Sequence, residues 1–520
     1  MKKLFSHSIM AATCAALIIL TGCGGSDDKT VEWSEGVFEP EAEFKNQCQN
    51  PRSGSDIFGR AFPDEQGSTL LENNWLRSWS DNTYLWYSEI VDQNPANFND
   101  PIAYFNVLKT NQVTATGNPK DNFHFSTDSA DYLQQSQSGV SSGYGLQWAL
   151  IQSTPPRELR VAFSEPNGPA AAANVFRGAE VLEIDGVDLI NASGQADLDI
   201  LNAGISPSSV GETHTFLIRD LGSSETRTVS LTSADVVESA ILATDVIATN
   251  TGNVAYVMYN TFRAFSETDL IDTFNQLESQ NVQDLILDLR YNGGGLLDLA
   301  SQLGYMIAGP DQIDGRIFEQ TIFNDKHPNI NPVTGATLTP TPFYSQSTGA
   351  GVANPGTPLP TLNLNRVFVL TTGSTCSASE AVINGLLGID VEVVLIGDST
   401  CGKPYGFYPT DNCGTTYFTI QLTGVNAAGF GEYPDGFTPQ NSQGTLGEIV
   451  SGCSVADDYN HAFGDPDEAL LQQALAYRET GTCSAPTIAK THLAASEKQA
   501  QGLSIKVKSD LLGKTMIRSK

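Results

Sequence analysis

Positive charge is scarce in this 520-residue chain: 28 lysines and arginines stand against 59 aspartates and glutamates, a formal net charge of −31. A surface of that sign repels phosphate backbones and anionic lipid, which excludes nucleic acid as a partner. Histidine is also sparse, with six scattered residues, and no two of the eight cysteines have Cys-x-x-Cys spacing. A structural zinc site is therefore not expected. Beyond residue 20 no stretch is apolar enough to cross a bilayer as a helix. The length exceeds one ordinary core and predicts two or three domains.

What is present begins with a leader. Lys2 and Lys3 precede an apolar run over residues 9–20, too short for a mature span and suited to a secretory signal over residues 1–22. The run ends in Leu20-Thr21-Gly22-Cys23, which resembles the lipobox of bacterial lipoproteins, so Cys23 is the expected lipidation site. Residues 23–47 then read as a tether that anchors the chain to a membrane by acylation alone. Gly24, in place of aspartate after the cysteine, favours the outer membrane of a bacterial envelope. Without residues 1–22 the chain loses two lysines and no acid, leaving 26 basic against 59 acidic residues, or −33. Residues 490–520 reverse that sign with seven basic and two acidic residues, and residues 481–520 read as a basic, frayed tail. Cys48, Cys376, Cys401, Cys413, Cys453 and Cys483 remain, an even number that predicts up to three disulfides in an oxidising compartment.

Three units follow the tether. Residues 48–135 carry an aromatic stripe (Trp75, Trp79, Tyr84, Trp86, Tyr104, Phe105) at mixed helical spacings and read as a small helical domain with those rings as its core. Residues 136–236 read as short strands separated by Asn167-Gly168-Pro169 and a tight Asp185-Gly186 turn. This pattern resembles a PDZ domain in the permuted form of bacterial proteases. The resemblance implies that Gly143, Tyr144, Gly145 and Leu146 hold a peptide's terminal carboxylate while the adjoining strand adds the peptide as a further strand. Residues 237–480 alternate apolar strand runs (254–259, 285–289, 366–370, 391–396) with helical spacing (267–279, 296–307, 378–387), the signature of an α/β core with a mainly parallel sheet. Residues 324–362 read as a long surface insertion.

Ser377 lies where a strand and loop give way to a helix, so its hydroxyl faces a positive helix end and free backbone amides that can bind an oxyanion. Lys403 follows the next strand, whose end returns beside the first in a parallel β-α-β unit, and a lysine there serves as base if burial keeps it neutral. Taken singly, Ser377 reads as well as an N-cap with Glu380 completing a capping box, and Lys403 as a surface lysine. Asp288-Leu289-Arg290-Tyr291-Asn292-Gly293-Gly294-Gly295, Cys376-Ser377-Ala378-Ser379-Glu380 and Gly402-Lys403 stand in one order and together resemble the S41 family of C-terminal-processing serine proteases. The resemblance implies a ClpP/crotonase-like core, Ser377 as nucleophile, Lys403 as general base, the amides of Gly294 and Ala378 as oxyanion hole, a polypeptide substrate, and neither metal nor organic cofactor. Well-known members carry glutamine four residues past the lysine, where this chain has Phe407. Tyr405 or Ser379 is then the expected substitute, and a disulfide from Cys401 to Cys376 or Cys413 the expected brace. The competing expectation is a catalytically silent, PDZ-type peptide-binding envelope lipoprotein. An acyl hydrolase of another class is less well supported, because no Gly-x-Ser-x-Gly elbow surrounds Ser377.

Overall fold

The computed structural model describes residues 32–351, 353–442 and 447–484, together with the backbone of Met516–Ile517. The expected signal peptide, Cys23 and the start of the tether lie outside the described residues. Among the described residues no helix is long and apolar enough to cross a membrane.

Helix α1 (Thr69–Thr83) begins where the Ser68 hydroxyl accepts the Leu71 N–H. It stacks Trp75 on Trp79 with ring centroids 5.1 Å apart. The expectation of a self-contained helical domain fails at this point. Two single-turn 3-10 helices, Tyr87–Glu89 and Pro95–Asn97, and the five-residue helix Pro101–Phe105 follow α1 before residue 108, and the aromatic cluster is completed by Tyr417, far along the chain and 5.6 Å from Trp75. Phe125–Asp128 pairs antiparallel with Thr415–Phe418, helix α2 (Ser129–Ser138) follows it, and a disulfide joins Cys48 to Cys413. The segment's core is closed by a residue from Thr415–Phe418, the strand with which Phe125–Asp128 pairs.

The next unit is an antiparallel sheet of β1 (Leu146–Gln152), β2 (Glu158–Ser164), β3 (Glu180–Ile184), β4 (Thr213–Arg219) and β5 (Thr226–Thr232), in the spatial order β5-β4-β3-β2-β1. Helix α3 (Gln195–Ile205) packs Leu198 and Leu201 into its core beside Trp148, Val161 and Phe216. Asp185 and Gly186 both have positive φ, 51° and 78°, the conformation that a two-residue hairpin turn requires.

Where the chain leaves this unit, the Ser239 N–H donates to Glu165 Oε2 at 2.8 Å. Burial pushes the Glu165 carboxyl up to about 7, Glu238 adds to the rise, and the Ser239 N–H opposes it. The folded chain then holds a proton at Glu165 between about pH 4.5 and 7 that the unfolded chain releases, so stability falls as pH rises through that window. The loss is up to about 3 kcal/mol. Glu165→Gln keeps an acceptor for Ser239 without a charge. Urea unfolding at pH 5 and pH 8 should find the variant more stable than wild type at pH 8, with the difference shrinking toward pH 5.

The core sheet contains β6 (Ile241–Thr249), β7 (Gly252–Tyr259), β8 (Val282–Asp288), β10 (Arg366–Thr371), β11 (Glu392–Gly397) and β13 (Gly452–Ser454), in that spatial order and parallel from β7 onward. Helices α4 (Ser266–Glu278), α5 (Leu297–Ile313) and α6 (Ala378–Leu387) cover one face. Helix α7 (Ala469–Thr480) covers the other. Alternate residues of each strand feed the two cores: Val257, Leu287, Val369 and Leu395 on one side, Tyr256, Ile286, Phe368 and Ile396 on the other. Burial on both faces is why these strands are continuous apolar runs in the sequence. Helix α5 is interrupted at Gly309 (φ 72°) before Pro310, whose ring disfavours a helical residue ahead of it. The short strands β9 (Gly295–Leu296) and β12 (Tyr405–Gly406) lie outside the main sheet.

A fully buried arginine joins the two larger units. Arg290 contacts Asp288 at 2.8 Å, Glu468 at 2.8 Å and Asp457 at 2.7 Å, and Asp457 also receives Arg177, from between β2 and β3, at 2.7 Å. The two guanidinium groups hold the Asp457 carboxyl well below the ordinary carboxylate range despite its burial.

The end of the chain departs from expectation. Instead of fraying throughout, the tail segment contributes a strand, β14 (Met516–Ile517), parallel to β9 with Gly295 opposite Met516 and Leu296 opposite Ile517. Cys483, also read as part of the tail, is tied to Cys453. The remainder of residues 485–520 lies outside the described residues.

Candidate active site

Ser377, Lys403, Gly294 and Ala378 come from loops that follow β8, β10 and β11, neighbouring parallel strands whose C-terminal ends share one edge of the sheet. Ser377 has φ 64° and ψ −113°, a backbone conformation that costs a residue with a Cβ roughly 1–3 kcal/mol. It turns the chain sharply into α6. Its Oγ faces the Glu380 amide as a capping box requires, yet closes no hydrogen bond, and it is buried without a partner. An unbonded buried hydroxyl costs about 1–3 kcal/mol. Capping alone does not explain such a residue, because the stabilising half of the motif is supplied by Glu380, whose Oε2 accepts the Ser377 N–H at 2.8 Å.

The same carboxylate positions the lysine loop. Glu380 Oε2 also accepts the Lys403 N–H at 2.8 Å, while Oε1 accepts the Gly402 N–H at 2.8 Å and the Thr400 hydroxyl at 2.6 Å. Burial pushes the Glu380 carboxyl upward, and these donors pull it back toward the ionised form. The Cys401 N–H donates to the Thr375 carbonyl at 3.0 Å, and a disulfide joins Cys376 to Cys401. Of the two braces expected for Cys401, the structure therefore has the one to Cys376, while Cys413 is held by Cys48.

Lys403 is fully buried, with its Nζ 4.2 Å from the Phe407 ring centroid and 4.7 Å from that of Phe123. Two aromatic faces thus stand near the amine, one of them Phe407 at the position where family members carry glutamine. The proposed substitutes are engaged elsewhere: the Ser379 hydroxyl donates to the Asn292 carbonyl at 2.9 Å, and the Tyr405 ring packs edge-on against Trp86 at 4.8 Å.

Asn292 is the site residue that sequence reasoning passed over. Its carbonyl also accepts the Cys376 N–H at 3.1 Å, its Nδ2 donates to the Tyr259 carbonyl at 3.0 Å, and its Oδ1 accepts the Gly294 N–H at 2.9 Å. One side chain and its own peptide unit therefore bind the glycine loop to the Ser377 loop. The signal was an asparagine directly before Gly293-Gly294-Gly295, a residue type suited to bonding the amide two positions on. The Gly294 amide faces Asn292 in this state, and Gly294 has φ 110°, a conformation reserved for glycine.

The residues read as a carboxylate loop lie in the neighbouring β-rich unit. Gly143 ends the strand Val140–Gly143, Gly145 (φ 70°) makes the turn, and Leu146 opens β1. The Tyr144 ring is buried against Phe216 at 5.6 Å, so this side chain is core and only its backbone faces the loop. The loop's carbonyls are used: Gly145 accepts the Glu165 N–H at 2.7 Å and Tyr144 the Ala170 N–H at 3.0 Å.

Replacing Cys376 and Cys401 together by serine removes a cross-link across 25 positions and is expected to cost about 3 kcal/mol in urea unfolding. Because the link joins the nucleophile loop to the lysine loop, hydrolysis of a polypeptide substrate should fall about tenfold in kcat at a temperature where both forms are folded, in keeping with the precision that preorganised sites need.

Known proteins resemble this chain most clearly in the same region. Residues 253–406 match the model of Peptidase family S41. The carboxyl-terminal-processing protease of Picosynechococcus sp. is 28% identical over 272 residues, covering 52% of this chain and 56% of that protein. The chloroplastic carboxyl-terminal-processing peptidase 3 of Arabidopsis thaliana is 26% identical over 276 residues, covering 51% and 46%. The chain thus spans about half the length of the curated relatives it matches. In three dimensions it superposes on a Bacteroides fragilis NCTC 9343 protein assigned to the S41 proteases with a TM-score of 0.58 at 24% identity, over 78% of this chain and 97% of the other, a likeness of fold. The stretch that matches peptidase family S41, residues 253–406, carries Ser377, Lys403, Gly294 and Ala378 together with strands β7, β8, β10 and β11 of the core sheet.

Proposed function

We propose that the chain is a serine endopeptidase acting through a Ser377–Lys403 dyad. The observation that carries this reading is the shared Glu380 carboxylate. It holds the backbone of a strained, buried and unbonded Ser377 and the backbone of a buried Lys403 on a single oxygen. Ser377 Oγ attacks the carbonyl carbon of the scissile peptide while Lys403 Nζ takes the hydroxyl proton. The carbonyl oxygen becomes an oxyanion that accepts from the Ala378 amide at the start of α6 and from the Gly294 amide once that N–H turns from Asn292. Collapse breaks the C–N bond, the leaving amine takes the proton from Lys403, and an acyl-enzyme remains. Water then attacks the ester, Lys403 takes its proton, and Ser377 is regenerated.

The neighbouring β-rich unit acts as a PDZ-like domain in recognising or gating the polypeptide, with the loop of Gly143, Tyr144, Gly145 and Leu146 as its carboxylate site. Arg177, bonded to Asp457 and Tyr291, supports communication between that unit and the site. Export and lipid anchoring at Cys23, on the periplasmic or outer face of a bacterial envelope and most simply at the outer membrane, rest on the leader motif. The three disulfides support an oxidising compartment.

A fluorophosphonate probe tests the reading. The wild-type chain should be labelled at Ser377 and should cut an unfolded polypeptide, and Ser377→Ala should do neither. A folded wild-type chain that takes no label and leaves the polypeptide intact would overturn the peptidase reading in favour of a silent peptide-binding protein.

A further inference from the structure

Strand β9 begins one residue past Gly294 and has two sides. On one, Phe262 forms an isolated parallel bridge to Gly295, with the Phe262 N–H donating to the Gly294 carbonyl at 2.9 Å and the Leu296 N–H to the Phe262 carbonyl at 2.8 Å. On the other lies β14, residues 516 and 517 of the same chain. Strand β12, which begins two residues past Lys403, also approaches β14 with Cα atoms within 8 Å. Residues 516 and 517 therefore lie extended against both the loop that carries the proposed oxyanion amide and the segment that follows the proposed base. A cavity of about 710 Å³ continues along the same edge, lined by Gly295, Leu296, Phe262, Tyr132 and Leu133.

We infer that the β9 edge is a binding site for extended peptide backbone and that its resident ligand is this chain's own C-terminal segment, which competes in cis with any polypeptide substrate. The inference rests on the peptidase reading only for what is being competed with. Three physical points support it. A two-residue strand edge beside a glycine-rich loop takes up a peptide by main-chain pairing, tolerant of side-chain identity. Charge favours this particular peptide, since residues 490–520 carry seven basic and two acidic groups on a molecule that is otherwise strongly acidic. Tethering makes the contact intramolecular: about 30 residues separate Ser484 from Met516, a reach of at most ~100 Å fully extended, and linkers of that order give effective concentrations near ~1 mM. An effective concentration about ten times the free tail's dissociation constant raises the apparent KM about tenfold.

The test uses the full chain with a recognition sequence for a site-specific protease inserted after residue 490, and separately the full chain carrying Met516→Pro and Ile517→Pro. Proline lacks the N–H that strand pairing requires. After cleavage and removal of the released piece by gel filtration, KM for a quenched-fluorescent polypeptide should fall about tenfold with kcat unchanged, and the double proline chain should show the same fall without cleavage. A labelled synthetic peptide of residues 506–520 should bind the tail-released Ser377→Ala chain by fluorescence anisotropy and bind the uncut Ser377→Ala chain at least tenfold more weakly. A KM unchanged within twofold in both proteins, or equal peptide binding before and after release, would overturn the assignment. If peptide binding depends on tail release while no form of the wild-type chain hydrolyses polypeptide, the peptidase reading falls and the tail assignment stands.

Discussion

Lys403→Met should lower kcat for polypeptide hydrolysis by about 10³- to 10⁴-fold while leaving KM within a few-fold of wild type, the scale set by removing a positioned general base. Methionine retains much of the length and apolar bulk of the stem, so the side chain still fills the space between Phe407 and Phe123. What it removes is the nitrogen proposed to accept the Ser377 proton. Lys403→Arg provides the complementary test: a guanidinium stays protonated at any pH at which the protein folds and cannot act as base. Both variants should fail to hydrolyse at neutral pH, although only one of them removes the nitrogen. If Lys403→Arg kept wild-type activity, Lys403 would be a cation that stabilises the transition state and the proton would go elsewhere. Stopped-flow hydrolysis of a quenched-fluorescent substrate, with circular dichroism to confirm folding, decides between these outcomes.

Glu380→Gln is expected to damage stability and catalysis together. Each carboxylate oxygen faces two donors: the Ser377 and Lys403 N–H groups at Oε2, and the Gly402 N–H and Thr400 hydroxyl at Oε1. Glutamine is nearly the same shape, but it must turn an NH₂ toward one of these donor pairs. Two buried donors then lose their acceptor and meet a third donor, at a cost of about 1–3 kcal/mol for each group left unsatisfied. Urea unfolding should show a loss of roughly 3 kcal/mol, and kcat should fall about 100-fold in the fraction that remains folded. The second number carries the argument. A carboxylate serving only as helix cap would lower stability and leave kcat of the folded fraction unchanged, because neither loop of the dyad would depend on it.

Particular elements explain how much of this was legible in the chain. The strands buried on both faces and helix α6 could be read from apolar runs and spacing, because each buries its pattern against the same sheet. Helix α3 escaped notice although Leu198, Leu201 and Ile205 have helical spacing, since Gly204 weakens the local preference. The N-terminal segment looked like a domain because its aromatics are dense. The missing piece of its core, Tyr417, lies more than three hundred positions away and has no signature that points back to Trp75. At the site, Ser377, Lys403 and Gly294 were read from motifs. The role of Glu380 in bringing two loops to one carboxylate was hidden behind its local capping geometry, and Asn292 behind the glycines that follow it. The pairing of β9 with β14 could not have been read, because two residues at the end of a basic tail have no periodicity.

The disulfide between Cys48 and Cys413 turns most of the molecule into a covalent ring, since the two positions are 365 residues apart. Proteases nick exposed segments such as residues 328–330 most readily. Any single nick between those cysteines opens the ring without dividing the molecule: both fragments stay joined at Cys48–Cys413, and the Ser377 and Lys403 loops, also inside the ring, stay joined at Cys376–Cys401. A cut between Cys413 and Cys453 divides the chain, since no disulfide spans that stretch, and a cut beyond Cys483 sheds the segment that holds β14. On a denaturing gel, nicked protein would run as one chain until a reductant is added, whereas loss of the tail would show with or without it.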